Sequence, residues 1–176
     1  ALSTAAVAAL TTTQVSQGLT TAQVVGLATV QVASLTSAQI NLGLTAWHIA
    51  VIETQDLAAL VTAQVRLGLG TAQIAALTTS QARALTTEQI SLGLTTAQVA
   101  ALTTAGISSL STEQISLGLS TAQIVALTTA QAASLSPAQL SQGFSNAQVT
   151  ALETRDVAAL STAAVAALTT TQVSQG

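Results

Sequence analysis

Cysteine, lysine, methionine and tyrosine are missing from these 176 residues, and proline, tryptophan, phenylalanine and histidine occur once each. Without cysteine there are no disulfides, no thiolate metal sites and no thiol nucleophile. The only cations are Arg66, Arg83 and Arg155. That leaves no basic patch to neutralise phosphates, so nucleic-acid binding is not expected. Charged residues are 5% of the chain and mean hydropathy is +0.63, a balance that would suit a membrane protein. The longest aliphatic runs, 5–10 and 163–168, are nevertheless six residues long. A spanning helix needs about 20, so membrane insertion is not expected either. No leader peptide is visible and residue 1 is alanine, which leads us to expect a segment of something longer.

What the chain does have is one phrase, repeated. From Leu2 onward it divides into 21 units of eight or nine residues. Position 1 is Leu except at Ile52 and Phe144; position 6 is always aliphatic, shortened to alanine only at Ala82 and Ala132. Position 2 is Ser or Thr in 16 units, position 3 is Thr in 17 and position 5 is Gln in 15. A fixed period marks an architecture in which each unit buries its apolar face only against neighbouring copies.

The spacing of the two anchors decides the element. On a strand, steps of five and three put successive anchors on opposite faces. On one long helix, each unit would rotate the stripe by about 80°. A short helix that restarts in every unit fits. Ser/Thr at position 2 is then the N-cap, and Gln at position 5 is N3, reaching back to the cap amide in a capping box. The same register makes positions 1 and 6 the two partners of a hydrophobic staple. Pro137 falls at N1, where its missing N–H costs nothing. All six acids lie at positions 2, 4 or 5, near the positive end of the helix, while Arg66 and Arg83 fall in the last turn. Arg155 departs from this rule and sits between Glu153 and Asp156. Where position 2 is Ala28, Glu53, Val61, Gly70 or Glu153, the persisting Thr at position 3 is an alternative cap.

Glycines at 18, 43, 68, 93, 118 and 143 recur every 25 residues, each closing a nine-residue unit. They read as left-handed residues just past a helix end. The expectation is an all-α, triangular α-solenoid with three helices of about six residues per coil. Full coils span 19–43, 44–68, 69–93, 94–118 and 119–143, with partial or irregular coils at 1–18 and 144–176. Leu and Val/Ile fill its interior. A triangular β-solenoid, which Thr, Val and Ile would suit, is the competing fold. Six-residue helices fall below the roughly 12–15 residues at which helices become even marginal in water, so stacking is obligatory. Residues 1–18 and 159–176 are identical, an offset of 158. From Phe144 the units run eight, eight, eight and nine, one octad more than a coil holds.

Little in the sequence carries chemistry. Trp47 and His48 replace Ala and Gln at positions 4 and 5, and drift at an exposed or half-exposed site outweighs an aromatic contact or a metal ligand. Glu53/Asp56 and Glu153/Arg155/Asp156 match each other four 25-residue intervals apart. Acids favoured by helix N-termini explain them better than a glycosidase pair or a calcium site. Gly70 and Gly106 read as tolerated variation. No catalytic, cofactor-binding or metal residues are assigned, and enzymatic activity is not expected.

The phrases Leu-Thr-Thr-Ala-Gln-Val at 19–24 and 94–99, and Leu-Thr-Thr-Glu-Gln-Ile at 85–90 (with Ser111 in place of Thr at 110–115), carry a resemblance. They resemble Leu-Thr-Thr-x-Gln repeat regions of very large bacterial secreted or surface proteins, adhesin-like in kind. The resemblance implies an extracellular or cell-surface setting. A structural rod, stalk or fibre body that self-associates end to end is the expected role. The alternative is a module that binds ice or a crystalline polysaccharide through regular Thr rows.

Overall fold

The structure is a computed structural model that describes residues 2–175. These residues form 21 short helical segments, and no strand occurs among them. The β-solenoid is therefore set aside. Helices begin at position 3 and follow an extended residue at position 2, as at Ser3, Thr11 and Thr20. The capping box forms as the spacing predicts. At Thr11 the hydroxyl accepts the Gln14 amide at 3.1 Å, and Gln14 Oε1 accepts the Thr11 amide at 2.8 Å. The register does not slip where the cap residue is unusual. Ala28, Glu53, Val61, Gly70 and Glu153 keep the extended cap conformation without a side-chain bond. In three of these units the glutamine half of the box survives, from Gln31, Gln64 and Gln73.

Successive helices stack in three columns. One column runs through Thr21–Val25, Ala46–Val51, Thr71–Ala75, Thr96–Ala101, Thr121–Val125 and Asn146–Thr150 to Thr170–Gln175. The second runs from Thr4–Ala8 through Thr29–Ala33 and onward to Thr154–Ala159. The third contains the first six nine-residue units, from Thr12–Gly18 through Gln39–Gly43, Thr62–Gly68, Gln89–Gly93 and Gln114–Gly118 to Gln139–Gly143. The result is an all-α, three-sided solenoid. The stretch from Phe144 does not hold a surplus octad: it makes a coil of three octads, and Thr170–Gln175 then starts the next turn on top of Asn146–Thr150.

The interior is aliphatic and directional. Val7, Val15 and Val24 at position 6 are buried in the first units, whereas Val157, Val165 and Val173 in the last units are exposed. Leu2 at position 1 is half exposed, while Leu152 and Leu160 are buried. Position 6 therefore faces the coil that follows and position 1 the coil before, so each coil interleaves with the next.

The glycines required a correction. No described glycine has a positive φ, so a left-handed helix end is not their purpose. The ninth residue is instead absorbed in the last turn, which widens to π-type hydrogen bonding at Gln39–Gly43, Gln89–Gly93, Gln114–Gly118 and Gln139–Gly143. Close approach is what demands glycine. A Cβ on Gly43 would lie 2.8 Å from the Val15 Cβ, and one on Gly93 would lie 3.1 Å from the Val65 Cβ. Gly18 has nothing within 4 Å of where its Cβ would be.

Candidate functional site

The junction between coils is where side-chain chemistry concentrates, and the position-5 glutamine builds it. Its helix starts one residue pair after a corner, which aims the side chain back under its own N-cap and toward the preceding coil. Oε1 accepts the cap amide, and Nε2 donates across the junction. Gln89 shows the full set: Oε1 accepts from the Thr86 amide at 2.9 Å, and Nε2 donates to the Leu60 and Leu57 carbonyls at 2.7 and 2.9 Å. Gln131 repeats this with Leu102 and Val99, and Gln139 with Leu110 and Ile107. Along the first column Gln73, Gln123 and Gln148 bridge in the same way, each to a position-1 and a position-6 carbonyl one coil earlier. These amides are buried. A buried amide with both ends satisfied ties two coils together, whereas one left unpaired would cost about 1–3 kcal/mol.

This bridging was not foreseen from the sequence, although a signal was present. A capping box accepts Glu as readily as Gln. Here position 5 is Gln 15 times and Glu never, while the chain's four Glu lie at positions 2 and 4. A carboxylate has no donor to offer a carbonyl. The residue preference records the junction rather than the cap.

His48 is the informative exception. It is 5% exposed, not at a surface site, and its ring does the work of the amide. Nδ1 lies 3.2 Å from the Thr45 amide nitrogen and accepts from it; Nε2 lies 3.1 Å from the Leu19 carbonyl oxygen and donates to it. Both bonds together require the neutral ring with its proton on Nε2. Trp47, its neighbour, points the other way and is 79% exposed.

Asp56 and Asp156 lie in the first turn of their helices, as expected of acids there. They occupy position 5, however, and are 1% and 0% exposed. The Asp156 Oδ1 accepts from the Thr129 hydroxyl at 2.8 Å and lies 3.4 Å from the Arg155 Nε. Arg155 Nε is 2.8 Å from Glu153 Oε2, and Gln55 donates to Glu53 Oε2 at 2.6 Å. Asp56 Oδ1 and Asp156 Oδ2 are buried without a partner. The two clusters lie in helices separated by three stacked members of one column, Thr79–Ala84, Thr104–Ser109 and Thr129–Ala133. Helix packing of about 8–10 Å per step holds them far beyond the separation of about 5–9.5 Å that paired glycosidase carboxylates need. Among the described residues no three metal-capable side chains come together. Gly106, also at position 5, keeps the cap from Thr103 at 2.9 Å but has no amide to send across. Gly70 keeps the cap conformation without a side chain.

The Thr rows are partly outward. In the second column Thr4, Thr54, Thr79, Thr104 and Thr154 are exposed, and Thr29 and Thr129 are half-buried, so position 3 is an unbroken row of threonine there. In the nine-residue column Thr12, Thr62, Thr87 and Thr112 are half-buried.

Stacked three-helix coils joined by internal amide ladders define a tandem-repeat α-solenoid. Residues 49–87 and 149–175 match the family described as the ALTTAQ repeat, so a repeat family is represented in both halves of the chain. No curated protein and no solved structure matches it. No described helix is long and apolar enough to cross a membrane.

Proposed function

We propose that the chain is a structural segment, a rod that serves as spacer, stalk or fibre body and elongates end to end. The carrying observation is the polarity of the junction. The starting face offers the amides of Gln14 and Gln23, whose Oε1 atoms close their own caps while, among the described residues, no acceptor meets Nε2. The finishing face offers exposed Val157, Val165 and Val173 around an apolar hollow. These are the complementary halves that every internal junction joins, so a second copy extends the first by a head-to-tail contact that does not close. An extracellular or cell-surface setting rests on the resemblance of the Leu-Thr-Thr-x-Gln phrases to secreted and surface repeats. No catalytic role is proposed.

Electron micrographs and light scattering across a concentration series test this. Rods that lengthen with concentration are expected, and Gln14→Glu with Gln23→Glu should shorten them by setting carboxylates against carbonyls. A chain without elongated species at high concentration would refute the reading.

The unbroken Thr row of the second column favours a second reading, binding to ice or a crystalline polysaccharide. Inhibition of ice recrystallisation, or retention on chitin or cellulose, that is lost in Thr79→Lys/Thr104→Lys would support it. No effect on any of the three would remove it.

A further inference from the structure

Position 8 of the nine-residue units in the third column reads Gln17, Leu42, Leu67, Leu92, Leu117, Gln142. Those units stack directly on one another, so the four leucines form one ridge along one side of the rod. They are 69%, 65%, 60% and 67% exposed. Their burial is not what holds the fold, since glutamine stands at the same position at both ends of the column. Position 8 in the other two columns is Gly, Ala or Ser apart from the half-buried Val51 and the exposed, polar Gln175. A contiguous apolar strip confined to one face of a polar-rimmed surface marks an interaction site.

We propose that this ridge is a lateral self-association surface: two copies of the chain pair side by side and antiparallel, leucine ridge against leucine ridge. Two observations commit it to that occupant and orientation. The ridge is palindromic about the midpoint of Leu67 and Leu92. Antiparallel pairing sets Leu67 against Leu92, Leu42 against Leu117, and Gln17 against Gln142. The charges agree with it. Arg66, Glu88 and Glu113 are exposed on the helices of this column, and the ion pairs among the described residues are those of Arg155. In the antiparallel register the helix that carries Arg66 faces the partner helix that carries Glu88, and the two-fold axis makes that pairing twice. A parallel, in-register pair would set Arg66, Glu88 and Glu113 each against its own copy. Such an isologous contact closes as a dimer. It is therefore separate from the open head-to-tail elongation.

Sedimentation velocity on the intact chain reads the association. A reversible dimer with Kd on the order of micromolar is expected. Leu67→Ser/Leu92→Ser should raise that Kd at least about tenfold. Its helical signal and urea midpoint should stay unchanged, because both side chains already face water. Arg66→Glu should weaken the dimer and Arg66→Glu/Glu88→Arg should restore it. For orientation, a tagged Gln17→Cys protein mixed with an untagged Gln142→Cys protein should oxidise mainly to the mixed disulfide. Gln14→Glu/Gln23→Glu, directed at the ends, should leave this dimer intact while it shortens rods. Several outcomes would overturn the proposal. They are a monomer at every concentration, association unchanged in the ridge variant, preferential 17–17 and 142–142 disulfides, or a monomer whose ridge binds phosphatidylcholine vesicles instead.

Discussion

Replacing the buried Gln89 by Glu isolates the junction from the cap. The variant keeps an oxygen for the Thr86 amide, so the capping box survives. It loses the donor that meets the Leu60 and Leu57 carbonyls at 2.7 and 2.9 Å and sets a carboxylate against them. Two lost bonds at about 1 kcal/mol each, plus an uncompensated buried charge, give a destabilisation of about 3–5 kcal/mol. Gln23→Glu is the internal control. Gln23 also caps its helix, through Thr20 at 2.9 Å, but it is exposed and, among the described residues, its Nε2 has no carbonyl to bridge to. Its cost should stay within about 0.5 kcal/mol. Urea denaturation followed by circular dichroism, at a concentration where the chain is monomeric, measures both. Acid provides a further check. Burial against carbonyls favours the protonated acid, so the folded-state pKa of Glu at position 89 is raised above its unfolded value. Stability relative to the parent chain is then highest below the ordinary glutamate range of about pH 4.3 and falls as pH rises through the folded value. Equal costs at positions 23 and 89, or a benign Gln89→Glu, would refute the bridging role.

Asp56→Gln should stabilise by about 1–3 kcal/mol, because it removes a buried carboxylate oxygen without a partner and supplies the amide that its unit lacks; a loss of stability in urea would count against this. Gly93→Ala should destabilise by about 1–3 kcal/mol through its contact with Val65, while Gly18→Ala, with open space around it, gains up to about 1 kcal/mol from helix propensity. Similar effects at the two sites in thermal melts would show that close approach is not the reason for glycine. Leu102→Ala should cost about 2–5 kcal/mol, since Leu102 is buried in the core. Thr104→Ala should stay within about 0.5 kcal/mol, because the cap is the neighbouring Thr103. The reverse order of the two denaturation midpoints would mean that interior and cap positions are misassigned.

Local grammar was legible in the sequence and long-range contact was not. The N-cap at position 2, the box from Gln14 to Thr11 and the N1 placement of Pro137 all lie within one unit, and each was read correctly from spacing. The purpose of Gly43 was misread because the atom that excludes a side chain belongs to Val15, 28 residues earlier. His48 reads as surface drift in the sequence because its second partner, the Leu19 carbonyl, is 29 residues away. The first-turn place of Asp56 is legible in the sequence, but its burial is not, because the coils that cover position 5 are distant in sequence. A repeat sequence reveals which side chain recurs more readily than what that side chain touches in the next coil.

The matched stretches near the two ends carry a stronger consequence. Thr12–Gly18 stacks under Gln39–Gly43 in the leucine-ridge column, whereas Thr170–Gln175, in a segment of the same sequence, stacks on Asn146–Thr150 in the first column. Their offset of 158 residues comprises 19 units, which is not a multiple of three. One sequence thus occupies two faces of the rod. Gln172 bridges there to Leu140 and Phe144 at 2.9 and 2.8 Å, as an internal glutamine does. The position-5 bridge is therefore not tied to one face of the rod, although among the described residues the π-widened last turns occur in the third column alone. Inserting one octad, Leu-Thr-Thr-Ala-Gln-Val-Ala-Ala, between Gly68 and Leu69 should leave a folded rod with one more helix. Every later unit would turn by one third of a coil, which parts Leu92 and Leu117 from Leu42 and Leu67. Deleting half a unit at the same place offers no such register, because it sets caps against helix middles and takes the amides away from their carbonyls. Circular dichroism and urea melts should show the insertion within about 1–2 kcal/mol of the parent chain and the half-unit deletion grossly unfolded. If the whole-octad insertion is as damaging as the deletion, the faces are not interchangeable, and the position of Thr170–Gln175 reflects something particular to that end of the rod.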